Sequence, residues 1–232
     1  MQIEKVANYV KNKNDNLPEY KIGGFQIFVQ SPLPENIDLK SCFEEINKLL
    51  PEHFINLIDV VYIGNFNFLS DKKFNAMYSD GGLYVSSQQD DSADLKDDII
   101  HEVAHAVEEK FGMHLYGDEE IKNEYFGKMK KLKNYLLHDN INTEGVNFFN
   151  TSYNEDFDNF LYSGIGYRNM PKYTSNLFLA PYSVTSMKEY FARGFEEFFL
   201  GNKLYLKTVC PYVYKKINQL NDKTMEMLDY EY

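Results

Sequence analysis

Tryptophan is absent from this chain of 232 residues, and cysteine is scarce, with only Cys42 and Cys210. The two cysteines lie far apart, and neither belongs to a Cys-x-x-Cys pair, so one disulfide bridge and two buried free thiols are both compatible with the sequence. No apolar run is long enough to serve as a signal peptide or to span a membrane. We therefore expect a soluble protein, secreted if a signal has been removed and cytoplasmic otherwise.

Basic residues are also few, because 24 Lys and Arg stand against 35 Asp and Glu, for a net charge of −11. This balance argues against nucleic acid and anionic membranes as partners and mildly favours a cationic substrate. Aromatic residues are plentiful instead, with 19 Tyr and 18 Phe, and 44% of the chain is apolar. The length and this apolar content suit one domain of two lobes with a sizeable core.

The residue pattern changes from strands to helices along the chain. "GGFQIFVQ", "LIDVVYIGN" and the pair "FNAMYSD" and "LYVSSQ" predict strands, the last two joined by a tight bend at Gly81 and Gly82. Helical patterns predict a short helix from Ile3 to Val10, one that Asp38 caps, and four more at about 93–111, 118–137, 186–200 and 204–220. The aromatic stretch 139–180 reads as ordered loops with short helices. This order predicts the α+β class.

The strongest functional signal is HEVAH, residues 101–105. Residues four apart on a helix share one face, with Cβ atoms about 5–6 Å apart, so His101 and His105 can hold one zinc ion. Glu102 projects about 100° away and can accept a proton from water whose pKa zinc lowers to about 7. The motif therefore predicts a zinc hydrolase with two histidine ligands and Glu102 as the general base.

A surface helix that carries two solvent-facing histidines among acids is the alternative interpretation. The apolar stripe of Leu95, Ile99, Val103 and Ala106 argues against it, because a helix with such a stripe suits burial. Both histidines lie on the less apolar side of this helix, and the small Ala104 and Ala106 suit close packing near a metal. These features favour the zinc site.

A catalytic zinc site takes three protein ligands and leaves a fourth position for water. The metzincin pattern HExxHxxGxxH is excluded, because Glu108 stands at its glycine and Phe111 at its third histidine. A thermolysin-like site would take its third ligand from the next helix, where Glu124 stands. The acid expected four residues later is Lys128, so Glu124 is the weaker candidate.

A stronger candidate lies in "APYSVTSMKEYFARGFEEFFL", residues 180–200. This stretch resembles the C-terminal catalytic helix of the anthrax lethal factor-like zinc metallopeptidases, which include the clostridial Pro-Pro endopeptidases. The resemblance implies that Glu189 is the third zinc ligand. It also implies that Tyr182, seven residues earlier, faces the active site and donates its hydroxyl to the oxyanion. Arg193 departs from the family, which usually has a second acid there, and the resemblance covers about residues 58–205.

Two other carboxylates of this stretch, Glu196 and Glu197, are alternatives, since Tyr190 also precedes Glu197 by seven residues. We expect both to be solvent-facing. Tyr182 follows Pro181 on a loop ahead of the predicted helix, where it can reach over a metal, whereas Tyr190 lies inside the helix.

These features together predict a two-lobed zincin of the gluzincin type, one metallopeptidase domain over residues 1–232. The N-terminal lobe (about 1–112) would hold a mixed sheet and the HExxH helix, and the C-terminal lobe (about 113–232) would be helical. An edge strand from Leu83 to Ser87 would pair with extended substrate. The expected activity is that of a zinc endopeptidase on protein or peptide, with one catalytic Zn²⁺; a catalytically inert binding module of the same fold is the alternative. No oligomeric state is predicted.

Overall fold

The computed structural model describes residues 17–222, and its strands form one five-stranded mixed sheet in the order β1-β2-β3-β5-β4. The strands are β1 Glu19–Ile22, β2 Phe25–Val29, β3 Val60–Gly64, β4 Ala76–Ser79 and β5 Gly82–Ser86. β2, β3 and β5 are parallel neighbours, while the outer pairs β1–β2 and β4–β5 are antiparallel. The helix predicted from Ile3 to Val10 lies outside the described residues.

The chain divides into two compact units, Met1–Lys110 and Phe111–Tyr232. The first contains the sheet with the helices α1 Leu39–Leu49, α2 Glu52–Ile55, α3 Asn67–Lys72 and most of α4 Ser92–Tyr116. The second contains α5 Glu120–His138, α6 Glu155–Asn159, a π-helix Phe160–Ile165, α7 Met170–Thr174, a 3₁₀-helix Pro181–Val184, α8 Met187–Phe199, α9 Lys203–Val209 and α10 Pro211–Asn221. The predicted α+β class is confirmed.

Local sequence accounts for the elements of the first unit. Asp38 caps α1, because its side chain accepts a hydrogen bond from the Ser41 amide at 3.1 Å. Asp80 and Gly81, with φ of 47° and 77°, form the two-residue turn that joins β4 to β5. The left-handed φ of Gly81 favours glycine in this turn, and a Cβ there would also require the Asp59 side chain, whose Oδ2 would be 2.3 Å away, to shift.

Strand alternation separates the two faces of the sheet. One face is fully buried and contributes Phe25, Ile27, Val61, Ile63, Leu83 and Val85 to the core. The other carries a row of stacked rings, Phe28, Tyr62 and Tyr84, partly covered by Phe66 and Leu69 from the start of α3. In α4, the predicted stripe of Leu95, Ile99, Val103 and Ala106 is buried as expected.

The predicted edge strand is wrong. Residues Leu83 to Ser86 lie in β5, which has β3 on one side and β4 on the other, so its ladder bonds are already used. The outer strand is β4, because the turn at Asp80 folds it back along β5.

Two further expectations change in detail. The helix predicted over 204–220 is two helices, since Pro211 begins α10 and Cys210 separates it from α9. The helix predicted over 93–111 runs on to Tyr116, with non-helical angles at Phe111 (φ −113°, ψ 21°). The sequence allowed either a disulfide bridge or two free thiols, and the structure has both cysteines as buried free thiols.

Candidate metal centre

The HEVAH segment lies in a buried part of α4. From Ile99 to Glu108 every side chain is buried or half-buried, and His101 and His105 belong to the half-buried ones. A surface helix would alternate buried and exposed faces along this stretch. The two histidines are therefore less exposed than the interpretation of a surface helix predicts.

The side chains of the motif converge. The potential ligand atoms of His101, Glu102 and His105 all lie within 4.8 Å of one another, and the two imidazole centroids are 4.9 Å apart. Two nitrogens that bind one zinc ion at about 2.1 Å are separated by at most about 4.2 Å. The 4.8 Å limit on the donor separations lies slightly above this value, and imidazole nitrogen is a preferred zinc ligand.

Glu102 is tied to the outer strand of the sheet. Its Oε2 atom accepts a hydrogen bond from the backbone N–H of Tyr78 in β4 at 2.6 Å. The carboxylate is buried, so this bond supplies one of the partners that a buried charge needs. The orientation of Glu102 is consequently fixed by β4 as well as by its own helix.

His105 is held by a second carboxylate of α4. Its Nδ1 atom lies 2.8 Å from Oε2 of Glu108, whose side chain is 3% exposed. Burial alone lowers the pKa of His105, but the bond to Glu108 and the charges of Glu102 and Glu108 outweigh it and raise that pKa above its usual value. The environment of His105 therefore favours positive charge.

Asp98 adds a third acid beside the motif. Burial raises the pKa of Asp98 to about 6, although the hydrogen bond from Gln89 Nε2 at 3.0 Å and the proximity of His101 act in the opposite direction. Helix positions 98 and 101 share one face, which explains this proximity.

Glu189 lies in the second unit, in the first turn of α8. The side chain of Ser186 caps this helix by accepting a hydrogen bond from the Glu189 amide at 3.1 Å. Ser-x-x-Glu at a helix start is the pattern of a capping box, in which the glutamate supports the start of the helix. The sequence-based reasoning missed this pattern.

Tyr182 lies in the 3₁₀-helix of the second unit, and 37% of its surface is exposed. The backbone around it is anchored, because the buried Tyr125 donates its hydroxyl to the Val184 carbonyl at 2.8 Å. Thr185 Oγ1 donates to the Tyr182 carbonyl at 2.8 Å. A tyrosine that packs in the core would be buried, so this exposure argues against a packing role for Tyr182.

Glu124, the thermolysin-like candidate, has structural partners for both oxygens. Tyr190 donates its hydroxyl to Oε1 at 2.7 Å, and the Tyr212 amide at the start of α10 donates to Oε2 at 3.1 Å. Burial raises the pKa of Glu124, against the effect of these bonds and of Lys128. The carboxylate thus caps α10 within the second unit.

The other two carboxylates of α8 also have structural partners. Glu196 is buried and paired with Arg193, so the expectation that it faces solvent is wrong. Glu197 is half-buried, and its Oε1 accepts a hydrogen bond from the Asn202 amide at 2.8 Å, next to the start of α9.

The first unit thus brings together His101, Glu102 and His105, whereas Tyr182 and Glu189 belong to the second unit. Sequence reasoning missed Glu108 as a partner of His105, although spacing i, i+3 on a helix predicts contact. It could not find the Tyr78 amide as a partner of Glu102, because every residue except proline has a backbone N–H and the sequence does not show which one will donate.

Comparison with known proteins gave no match: no family model, no curated protein and no solved structure is significantly similar to the chain. The resemblance to lethal factor-like peptidases therefore rests on the sequence motifs. Among residues 17–222, no helix is both long enough and apolar enough to cross a membrane.

Proposed function

We propose that this protein is a zinc-dependent endopeptidase of the gluzincin type. The observation that carries the proposal is the gathering of donor atoms from His101, Glu102 and His105 within 4.8 Å on a buried stretch of helix. Two histidines at i, i+4 with a glutamate after the first form the ligand and base set of HExxH metallopeptidases. Burial of polar side chains at this spacing costs free energy, which a bound ion would offset.

A zinc ion in this site would lower the pKa of water to about 7 and polarise the substrate carbonyl. His101 and His105 would hold it, and Glu189 from the second unit would be the third ligand. That assignment of Glu189 is supported by the resemblance of "EYFARGF" to the family helix and by the partners that already occupy Glu124.

Glu102 would accept the proton of the attacking water and pass it to the leaving amine. The hydrogen bond from the Tyr78 amide at 2.6 Å supports this role, because it orients the carboxylate. A backbone amide does not transfer its proton, so the carboxylate is not neutralised by this partner. Tyr182 would donate its hydroxyl to the carbonyl oxygen as negative charge develops there. The exposure of its ring and the anchoring of its backbone support this role.

The substrate would bind in extended form along β4. This strand is the outer one on its side of the sheet, and edge strands recruit peptide backbones by adding a strand. Since the Tyr78 amide already donates to Glu102, a peptide on β4 would pair with other backbone groups of the strand and lie close to the base.

The test is cleavage of a proteome-derived peptide library by wild-type protein and by Glu102→Gln. We expect wild type to cleave peptides and Glu102→Gln to lose about 10²–10⁴-fold in turnover, since it retains the ligands but lacks the base. Zinc content should be equal in the two proteins. If wild type carries zinc and cleaves nothing, the alternative of an inert binding module is correct.

The third ligand is tested by zinc affinity. Glu189→Ala should weaken zinc binding strongly, while Glu197→Ala, in the same helix, should not. Loss of zinc from Glu124→Ala instead, in a protein that remains folded, would make the site thermolysin-like.

A further inference from the structure

We infer that Glu108 is a positioning residue of the metal centre, which holds the His105 ring so that Nε2 is directed to the ion. The inference rests on the proposed function in that it assumes a metal at His101 and His105. Glu108 acts through His105 and would touch neither ion nor substrate.

The geometry determines which nitrogen is available. Nδ1 of His105 lies 2.8 Å from Oε2 of Glu108, and an ionised carboxylate can only accept, so Nδ1 carries the proton. In a neutral ring the other nitrogen then presents its lone pair. Nε2 is thus the atom through which His105 would bind a metal.

The placement of Glu108 is rigid. It lies three residues after His105 in α4, where side chains at i and i+3 are neighbours on one face. Its side chain is 3% exposed, against 20% for His105, so the carboxylate is the more deeply buried of the two groups. A surface glutamate would sample many rotamers, whereas this one is confined by its surroundings.

A carboxylate behind a metal-binding histidine also strengthens it as a ligand. The negative charge raises the basicity of the ring, and partners of this kind typically change metal affinity by about 10–100-fold. The alternative is a buried ion pair that serves the fold alone. It predicts a change in melting temperature without a specific change in zinc affinity.

The experiment compares Glu108→Gln, Glu108→Ala and Glu109→Ala. Glutamine keeps an acceptor but removes the charge, alanine removes both, and Glu109 is the exposed neighbour in the same helix, which serves as the matched control. Zinc affinity is measured by competition with a chromophoric chelator. The position of the His105 proton is read from long-range ¹H–¹⁵N spectra of the zinc-free proteins at alkaline pH.

We expect Glu108→Ala to bind zinc about 10–100-fold more weakly, Glu108→Gln to fall between it and wild type, and Glu109→Ala to match wild type. The His105 proton should lie on Nδ1 in wild type and in Glu108→Gln, and should shift toward Nε2 in Glu108→Ala. A wild-type proton on Nε2, or unchanged zinc affinity in both Glu108 variants, overturns the inference. If Glu108→Ala fails to fold, the wild-type spectrum and the glutamine variant still decide.

Failure of the proposed function gives a different result. If wild type binds no zinc, the metal centre is wrong and Glu108 positions no ligand. The spectra then show separately whether Glu108 still orients the His105 ring for the fold.

Discussion

Two clusters of buried and half-buried polar side chains, one in each unit, have different chemistry. The α4 cluster comprises Asp98, His101, Glu102, His105 and Glu108; the α5 cluster comprises Glu124, Lys128, Tyr190 and Cys210. In both, a long helix presents ionisable groups three or four residues apart to a protein interior. The two clusters differ in the hydrogen-bond partners and charges that surround those groups.

In the α5 cluster, the charges are opposite and each contacts a helix end. Lys128 Nζ donates to the Val209 carbonyl at the end of α9 at 2.6 Å and lies 3.3 Å from Cys210 Sγ. It also lies 4.9 Å from the centroid of the Tyr190 ring. Glu124 accepts from the first turn of α10. Cation and anion thus stabilise the α9–α10 junction.

In the α4 cluster, the charges have one sign. The sequence from Asp97 to Glu108 contains four acids and no Lys or Arg, and two of its acids surround His105. Such an arrangement favours a cation, either protonated imidazole or a metal ion. The balanced cluster thus joins helix ends within the second unit, whereas the acidic cluster with two imidazoles is the one that we propose to bind a metal.

The largest effect on stability should come from Lys128→Met. The substitution removes the hydrogen bond from Lys128 to the Val209 carbonyl and the positive charge near the half-buried Glu124. Leaving a buried acceptor without its donor typically costs about 1–3 kcal/mol. Chemical denaturation measures the loss, and Lys131→Met, exposed in the same helix, should change little. Zinc bound per folded chain should stay at the wild-type value. A Lys128→Met protein that unfolds like wild type would show that the α5 cluster does not stabilise the fold.

Tyr182→Phe should lower kcat by about 10²–10³-fold, or about 2.7–4 kcal/mol, because one oxyanion donor is lost. KM should change little, since the interaction forms in the transition state. The control is Tyr205→Phe, because Tyr182 and Tyr205 are both 37% exposed. Normal kcat in a stable Tyr182→Phe enzyme would rule out the oxyanion role and leave the α4 cluster untouched.

Asp98→Asn should give the smallest effect. The pKa of Asp98 is raised from 3.8 to about 6, so the folded protein binds this proton more tightly than the unfolded chain. Stability of the chelator-treated wild type should therefore fall by about 2 kcal/mol as pH rises from about 4 to 6, and remain lower above that range. Asp98→Asn should lack this fall, and Asp97→Asn, at an exposed neighbour, should retain it. Identical pH profiles for wild type and Asp98→Asn would contradict the burial of this charge.

Local patterns made much of the first unit predictable from sequence. The Asp38 cap, the strand "LIDVVYIGN" and the HEVAH helix each depend on residues a few positions apart. The motif specifies its own geometry, because His101 and His105 are brought together by helix periodicity alone. The edge strand was mistaken because the partner of a strand is a long-range property: β5 pairs with β3, some twenty residues earlier in the chain.

The second unit was less predictable for the same reason. Lys128 contacts residues more than eighty positions away, and nothing near it in sequence distinguishes it from the surface lysines of α5. By contrast, the break between α9 and α10 and the cap at Ser186 were visible in the sequence, as Pro211 and as Ser-x-x-Glu.

The central claim is that the α4 cluster binds zinc, and the most direct test is the zinc content of protein purified without chelator, measured by elemental mass spectrometry. We predict about one zinc per chain in wild type and in Glu102→Gln, and almost none in folded His105→Ala. Wild-type protein without a transition metal, or His105→Ala that retains a full zinc ion, would contradict the claim.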